Sequence, residues 1–293
     1  MAKPEFSNRI PRLDSDAVGR IARLSVCVLV AWAITACTPA NLKQRSGYWA
    51  DQAESARAYN QRVRFLVMHY TGGDEPRALK VLTGASVSSH YLVGDHPPEH
   101  GGAPIVYQLV AEHERAWHAG TSAWADRTHL NDSSIGIEIV NMGPIDTASG
   151  PAWQGFGGDQ IEAVITLARD IIHRYDIQPV NVVGHSDIAP GRKVDPGPAF
   201  PWELLYRHGI GAWPDAPTVE AYRQRFFRDM PSIAAIQSAL ARYGYQLPVT
   251  GELDQRTRSV LISFQMHFRP ARYDGIPDVD TAARLWALND KYR

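Results

Sequence analysis

Two histidines and an aspartate carry the first chemical signal. His185 follows the apolar run 180–183, and His69 ends a second run, Phe65-Leu66-Val67-Met68, so each imidazole is predicted at the end of a buried strand, facing a loop. Asp195 lies beyond His185 past a Pro190-Gly191 turn that can fold the chain back and bring its carboxylate toward that imidazole. Two nitrogens and one oxygen are donor types of a mononuclear zinc site, which in enzymes takes three protein ligands and keeps a fourth position open. The chemistry these residues point to is hydrolysis assisted by one zinc ion.

The elements that must position them follow from the apolar patterning. Short strands are predicted over residues 63–68, 89–93, 105–110, 135–140 and 180–184, and short helices over 76–82 and 202–207. Asp159-Gln160-Ile161-Glu162 reads as a capping box for a longer helix, whose Ile161, Val164, Ile165, Ala168, Ile171, Ile172 and Tyr175 form one stripe. Strand, helix and strand in this order predict an α/β fold, a central mixed sheet flanked by helices. In the 135–140 strand the isoleucines alternate onto one face and Glu138 projects from the other. A carboxylate in the middle of an apolar strand is costly to bury unpaired, so Glu138 is either an ion-pair member or a functional group.

The blocks Val67-Met68-His69-Tyr70-Thr71, Ser89-His90-Tyr91-Leu92-Val93 and Trp117-His118-Ala119-Gly120, residues 131–138 and the loop 184–198 resemble a known family. In this order they are similar to the zinc-dependent N-acetylmuramoyl-L-alanine amidases related to peptidoglycan recognition proteins. The resemblance implies that family's fold, one Zn2+ held by His69, His185 and Asp195, and cleavage of the amide between N-acetylmuramic acid, intact or 1,6-anhydro, and L-alanine. It implies that Glu138 takes a proton from the attacking water and passes it to the leaving nitrogen, while Lys193 stabilises the oxyanion. His118 is expected to hydrogen-bond the muropeptide or the tetrahedral intermediate. Trp117 and Trp124 are expected to stack on sugar or peptide unless they pack the loop. Asn131 would hold either substrate or loop, and His90 would support the site without ligating. Ser186-Asp187 lacks a nucleophile elbow, which sets aside a serine hydrolase. Two alternatives share the frame. A non-catalytic peptidoglycan receptor would commonly lack a zinc ligand, whereas all three positions are filled here; a zinc peptidase cutting within the stem peptide differs only in the motifs.

The rest of the chain supplies context. Residues 24–36 are mostly apolar, too short for a comfortable membrane span, and run into Ile34-Thr35-Ala36-Cys37, which resembles a lipobox. Residues 1–36 are therefore predicted as a lipoprotein signal peptide and Cys37 as the lipidated residue, anchoring the protein to the periplasmic face of an outer membrane. Cys27 and Cys37 are the two cysteines, so the body has no disulfide framework. The predicted division is a tether over 37–60, a catalytic domain over 61–210, a linker over 211–230 and a small three-helix bundle over 231–293. Ser232, Asp254 and Asp278 cap the three helices, and the bundle resembles peptidoglycan-binding domains. A formal net charge of -1 gives no electrostatic case for nucleic acid, and peptidoglycan is the expected partner of a monomer.

Overall fold

The computed structural model describes residues 41–148 and 150–293, which fall into two compact units divided between Asn60 and Gln61. Cys37 and the predicted signal segment lie outside the described residues. Among those described, no helix is long and apolar enough to cross a membrane. In the first unit the predicted tether is partly structured: β1 (Leu42–Arg45) and β2 (Tyr48–Asp51) form an antiparallel hairpin. Backbone pairing, rather than a buried apolar face, defines it, and mostly exposed side chains leave little periodic signal to read.

In the second unit β3 (Phe65–Tyr70) is buried along nearly its whole length, as a central strand with parallel neighbours requires. α1 (Glu75–Leu82) starts from Asp74, whose side chain accepts the Arg77 N–H, with Pro76 in its first turn. Next come β4 (Tyr91–Val93), the ladder of β5 (Glu99–His100) with β6 (Ala103–Pro104), and β7 (Tyr107–Gln108). The strand predicted over 105–110 shrinks to β7 because β4 pairs with it only through Tyr91 and Leu92. β8 (Ala123–Trp124) and β9 (Arg127–Thr128) form a small ladder ahead of β10 (Ser134–Ile139). The hairpin of β11 (Pro144–Thr147) and β12 (Gly150–Trp153) leads into α2 (Gly158–Tyr175), β13 (Val182–Gly184), α3 (His185–Ile188) and α4 (Trp202–Arg207).

The main sheet runs β13-β3-β10-β4-β7, parallel except at β7, which is the predicted mixed sheet. Leu66, Met68, Ile135, Ile137 and Ile139 bury one face against Ile161, Val164, Ile165, Ala168 and Ile171 of α2. Each of the larger side chains among these contributes about 1.5–3 kcal/mol on full burial. The capping box predicted at the start of α2 is absent. The helix begins two residues early behind Gly157, and Gln160 is buried, donating to Gly94 O and Val140 O.

Residues 211–230, predicted as a linker, instead hold α5 (Ala216–Arg228). α6 (Ile233–Tyr243), α7 (Gln255–Phe268) and α8 (Val279–Tyr292) follow, their caps Ser232, Asp254 and Asp278 each accepting a first-turn N–H. The C-terminal region therefore has four helices. Val219 and Phe226 of α5 pack on Ala282, Ala283 and Ala287 of α8, which is why this stretch is helical. Nor does the bundle keep a core to itself: Leu240, Tyr243, Tyr245, Phe264 and Phe268 close over the second face of the sheet, at Phe65 and Val67.

Candidate active site

Strand register assembles the site. Glu138 on β10 pairs with His69 on β3, and Gly184, the last residue of β13, pairs with Met68. His69, Glu138 and His185 thus reach the carboxyl end of three adjacent parallel strands, where open α/β sheets bind ligands. The loop after α3 brings Asp195 back, tied by the Ser186 N–H donating to Asp195 O at 2.8 Å. His69 Nδ1, His185 Nδ1 and Asp195 Oδ2 then stand 3.0 Å apart in all three pairs. All three residues are buried.

Hydrogen bonds on the far side of each ring decide which atoms face this point. Ser134 Oγ donates to Leu130 O at 2.7 Å, so toward His118 Nε2, 3.1 Å away, it acts as acceptor. His118 Nδ1 is then bare and accepts from His69 Nε2 at 3.0 Å, which leaves His69 Nδ1 without a proton. His185 Nε2 lies 3.2 Å from Ala119 O and donates to it, so its Nδ1 is bare as well. Three lone-pair donors meeting at 3.0 Å repel unless a cation lies among them. This donor set fits a divalent metal ion. Burial, and then the neighbouring His185, bring the pKa of His69 down to about 4, keeping the ring neutral and available as a ligand.

Glu138 stands beside these donors. Its side chain is partly exposed along the wall of a cleft of about 450 Å3, but its Oε2 is shut from solvent with no hydrogen-bond partner among the described residues. Burial raises the carboxyl well above its ordinary value; Asp195 adds to the rise and Lys193 opposes it. A carboxylate held in this way takes up a proton readily. Lys193, Trp117, His118 and Val194 line the same cleft, and Trp117 is 52% exposed.

Other predicted residues lie elsewhere. Trp124 is only 1% exposed, with its ring against Tyr243 and Tyr245 and its Nε1 donating to Val180 O at 3.0 Å, so it packs the core and has no face for a sugar. Asn131 is spent on the loop, its Oδ1 accepting the His118 and Ala119 N–H groups. His90 accepts the Gly136 N–H through Nδ1 and faces no ligand atom of the metal group. Arg192 was not anticipated: its Nη2 donates to Ala119 O at 2.8 Å and Thr121 O at 2.6 Å, strapping the segment that carries His118. Gly136 was missed too, although it sits two residues before Glu138 on the same face; a Cβ there would come 2.6 Å from the His118 ring.

Comparison with known proteins extends this geometry. Residues 59–198 match the family described as N-acetylmuramoyl-L-alanine amidase, and residues 229–285 match a putative peptidoglycan binding domain. The chain is 48% identical to N-acetylmuramoyl-L-alanine amidase AmiD of Escherichia coli, over 85% of this chain and 90% of that one. The solved complex of that amidase with anhydro-N-acetylmuramic acid-L-Ala-D-gamma-Glu-L-Lys superposes with a TM-score of 0.79 at 46% identity, covering 86% of this chain and 98% of the other. AmpDh3 of Pseudomonas aeruginosa in complex with anhydromuramic pentapeptide gives 0.75 at 47% identity, covering 85% and 98%. The similarity runs through the amidase segment and the C-terminal helices alike, and the chain belongs to the N-acetylmuramoyl-L-alanine amidase family.

Proposed function

We propose that the chain is a zinc-dependent hydrolase of the amide between N-acetylmuramic acid, intact or 1,6-anhydro, and L-alanine in peptidoglycan and its muropeptides. The observation that carries this reading is the group of three bare donor atoms at 3.0 Å beside Glu138 on one cleft wall, with Glu138 Oε2 shut from solvent and without a hydrogen-bond partner among the described residues. His69, His185 and Asp195 would hold the ion. When bound, zinc supplies a Lewis acid for the amide carbonyl and makes water nucleophilic near neutral pH. Glu138 accepts the proton of the attacking water and, with its raised pKa, keeps it until the leaving nitrogen needs it. Lys193 faces the charge that develops on the carbonyl oxygen. Trp117 and Val194, both exposed on the cleft wall, offer apolar surface to the sugar or the peptide, and His118 orients His69.

The substrate class rests on the ligands named in the two solved relatives, both anhydromuramyl peptides. The match over residues 229–285 supports a C-terminal region that contacts peptidoglycan. One chain supplies every residue of the site, in keeping with a monomer. Lipidation at Cys37, and attachment to the periplasmic face of the outer membrane, is supported by the apolar run and lipobox-like residues before it; metabolic labelling with a palmitate analogue, lost on Cys37→Ser, tests it. The activity is tested by digesting defined muropeptides with and without a chelator and weighing the products. Free stem peptide beginning at L-alanine, formed only with metal, is the expected result. A shortened peptide still on the sugar would show a peptidase, and binding without turnover a receptor.

A further inference from the structure

Asp187 lies two residues past His185, is 1% exposed, and is not a member of the metal group. It accepts three hydrogen bonds: from the Gly184 N–H at 2.7 Å, the Tyr245 hydroxyl at 2.6 Å and His267 Nδ1 at 2.7 Å. The first closes its own turn. The other two reach in from the C-terminal helical region, 58 and 80 positions along the chain. Both donors are fixed by packing: Tyr245 lies edge-on to Trp124 at 4.8 Å, and His267 is stacked between Trp202 at 3.8 Å and Phe268 at 3.9 Å. His267 Nε2 is buried without a hydrogen-bond partner among the described residues, a cost borne while Nδ1 serves Asp187. An apolar side chain would fill this space without that cost, so packing alone does not account for the arrangement.

We propose that Tyr245 and His267 are positioning residues for the metal site, acting through Asp187. Their hydrogen bonds fix the carboxylate that holds the Gly184 N–H, and Asp195 O holds the Ser186 N–H, so the backbone is pinned on both sides of His185. The aim of the imidazole is set by that backbone, and metal sites lose affinity when the groups that orient their ligands are removed. The C-terminal helices are then a working part of the catalytic centre as well as a peptidoglycan-contacting module. This inference rests on the zinc-amidase reading above.

The test needs no substrate. Zinc affinity of the purified full chain is measured by chelator competition, and exchange of the Gly184 amide is followed in the metal-free protein. Tyr245→Phe with His267→Phe keeps both rings and removes both hydrogen bonds. It is expected to weaken zinc binding about ten-fold and to speed Gly184 exchange by a similar factor. His267→Asn, which can donate from nearly the position of Nδ1, restores affinity in the Tyr245 background relative to His267→Phe. Leu288→Ala, in the same core but not among the hydrogen-bond partners of Asp187, is expected to lower Tm without changing the affinity of the folded protein. Should the double variant fail to fold, Tyr245→Phe alone carries the test with a smaller loss. Wild-type affinity and Gly184 protection in the Phe variants would overturn the proposal, as would an equal loss of affinity in Leu288→Ala. A wild-type chain that binds no zinc would overturn the amidase reading and this inference with it.

Discussion

Replacing Glu138 by glutamine separates the two consequences of burying that carboxyl. The substitution keeps shape and hydrogen-bonding capacity but cannot take up a proton, so kcat is expected to fall by about 10²–10⁴-fold, the usual worth of a positioned base. Stability moves in the opposite sense. The folded pKa lies well above the unfolded 4.5, so the favourable contribution of the protonated form is fully present below pH 4.5 and is lost as pH rises through the folded value. Between those two values the wild type loses about 1.4 kcal/mol per pH unit from this group, and the loss then levels off. Glutamine carries a buried polar cost that does not change with pH, so the slope of the difference is diagnostic and its absolute value is not. In metal-free protein, calorimetry should show Glu138→Gln gaining on wild type from pH 4.5 upward, at about 2–4 °C of Tm per kcal/mol for a domain of this size. Parallel stability curves, or a kcat within about ten-fold of wild type, would refute the reasoning.

Three further outcomes are expected. Ser134→Ala removes the acceptor that fixes the His118 tautomer and should weaken zinc binding about ten-fold by chelator competition, with little change in KM. Gly136→Ala drives a methyl group into the His118 ring and should cost about 1–3 kcal/mol, read as a lowered Tm together with weaker zinc binding. For His69 the folded pKa of about 4 lies below the unfolded 6.5, so its contribution to metal-free stability is present above pH 6.5 and is lost as pH falls toward 4. Denaturant titration should show that acid slope flattened in His69→Gln.

The grouping of His69, His185 and Asp195 was legible because each histidine ends an apolar run and a turn precedes Asp195, and runs of this kind declare strands whatever their partners. Glu138 was legible through alternation, since a carboxylate among isoleucines must point away from them. What remained hidden depends on pairing between distant segments. Nothing local links His118 to Ser134, or Asp187 to Tyr245 and His267, and such hydrogen bonds exist only once the sheet and helices have met. Trp124 was left between stacking on a ligand and packing because a tryptophan in a polar loop looks like a ligand platform until the helices that cover it are seen. The helix at Ala216–Arg228 escaped notice for a related reason: Val219 and Phe226 form a sparse stripe that gains meaning only against the alanines of α8.

The spread of the donors along the polypeptide has a bearing on biogenesis. His69 is separated from His185 by 116 positions and from Asp195 by 126, so the segment that carries His185 and Asp195 holds only two of the three donors until β3 is in place. If the chain takes zinc as proposed, the three donors meet only after β13 has docked on β3, and the rate of refolding is expected not to respond to added zinc even though final stability does. A site completed only by docked strands would draw its ion from the surroundings of the folded protein and not from those of the emerging chain.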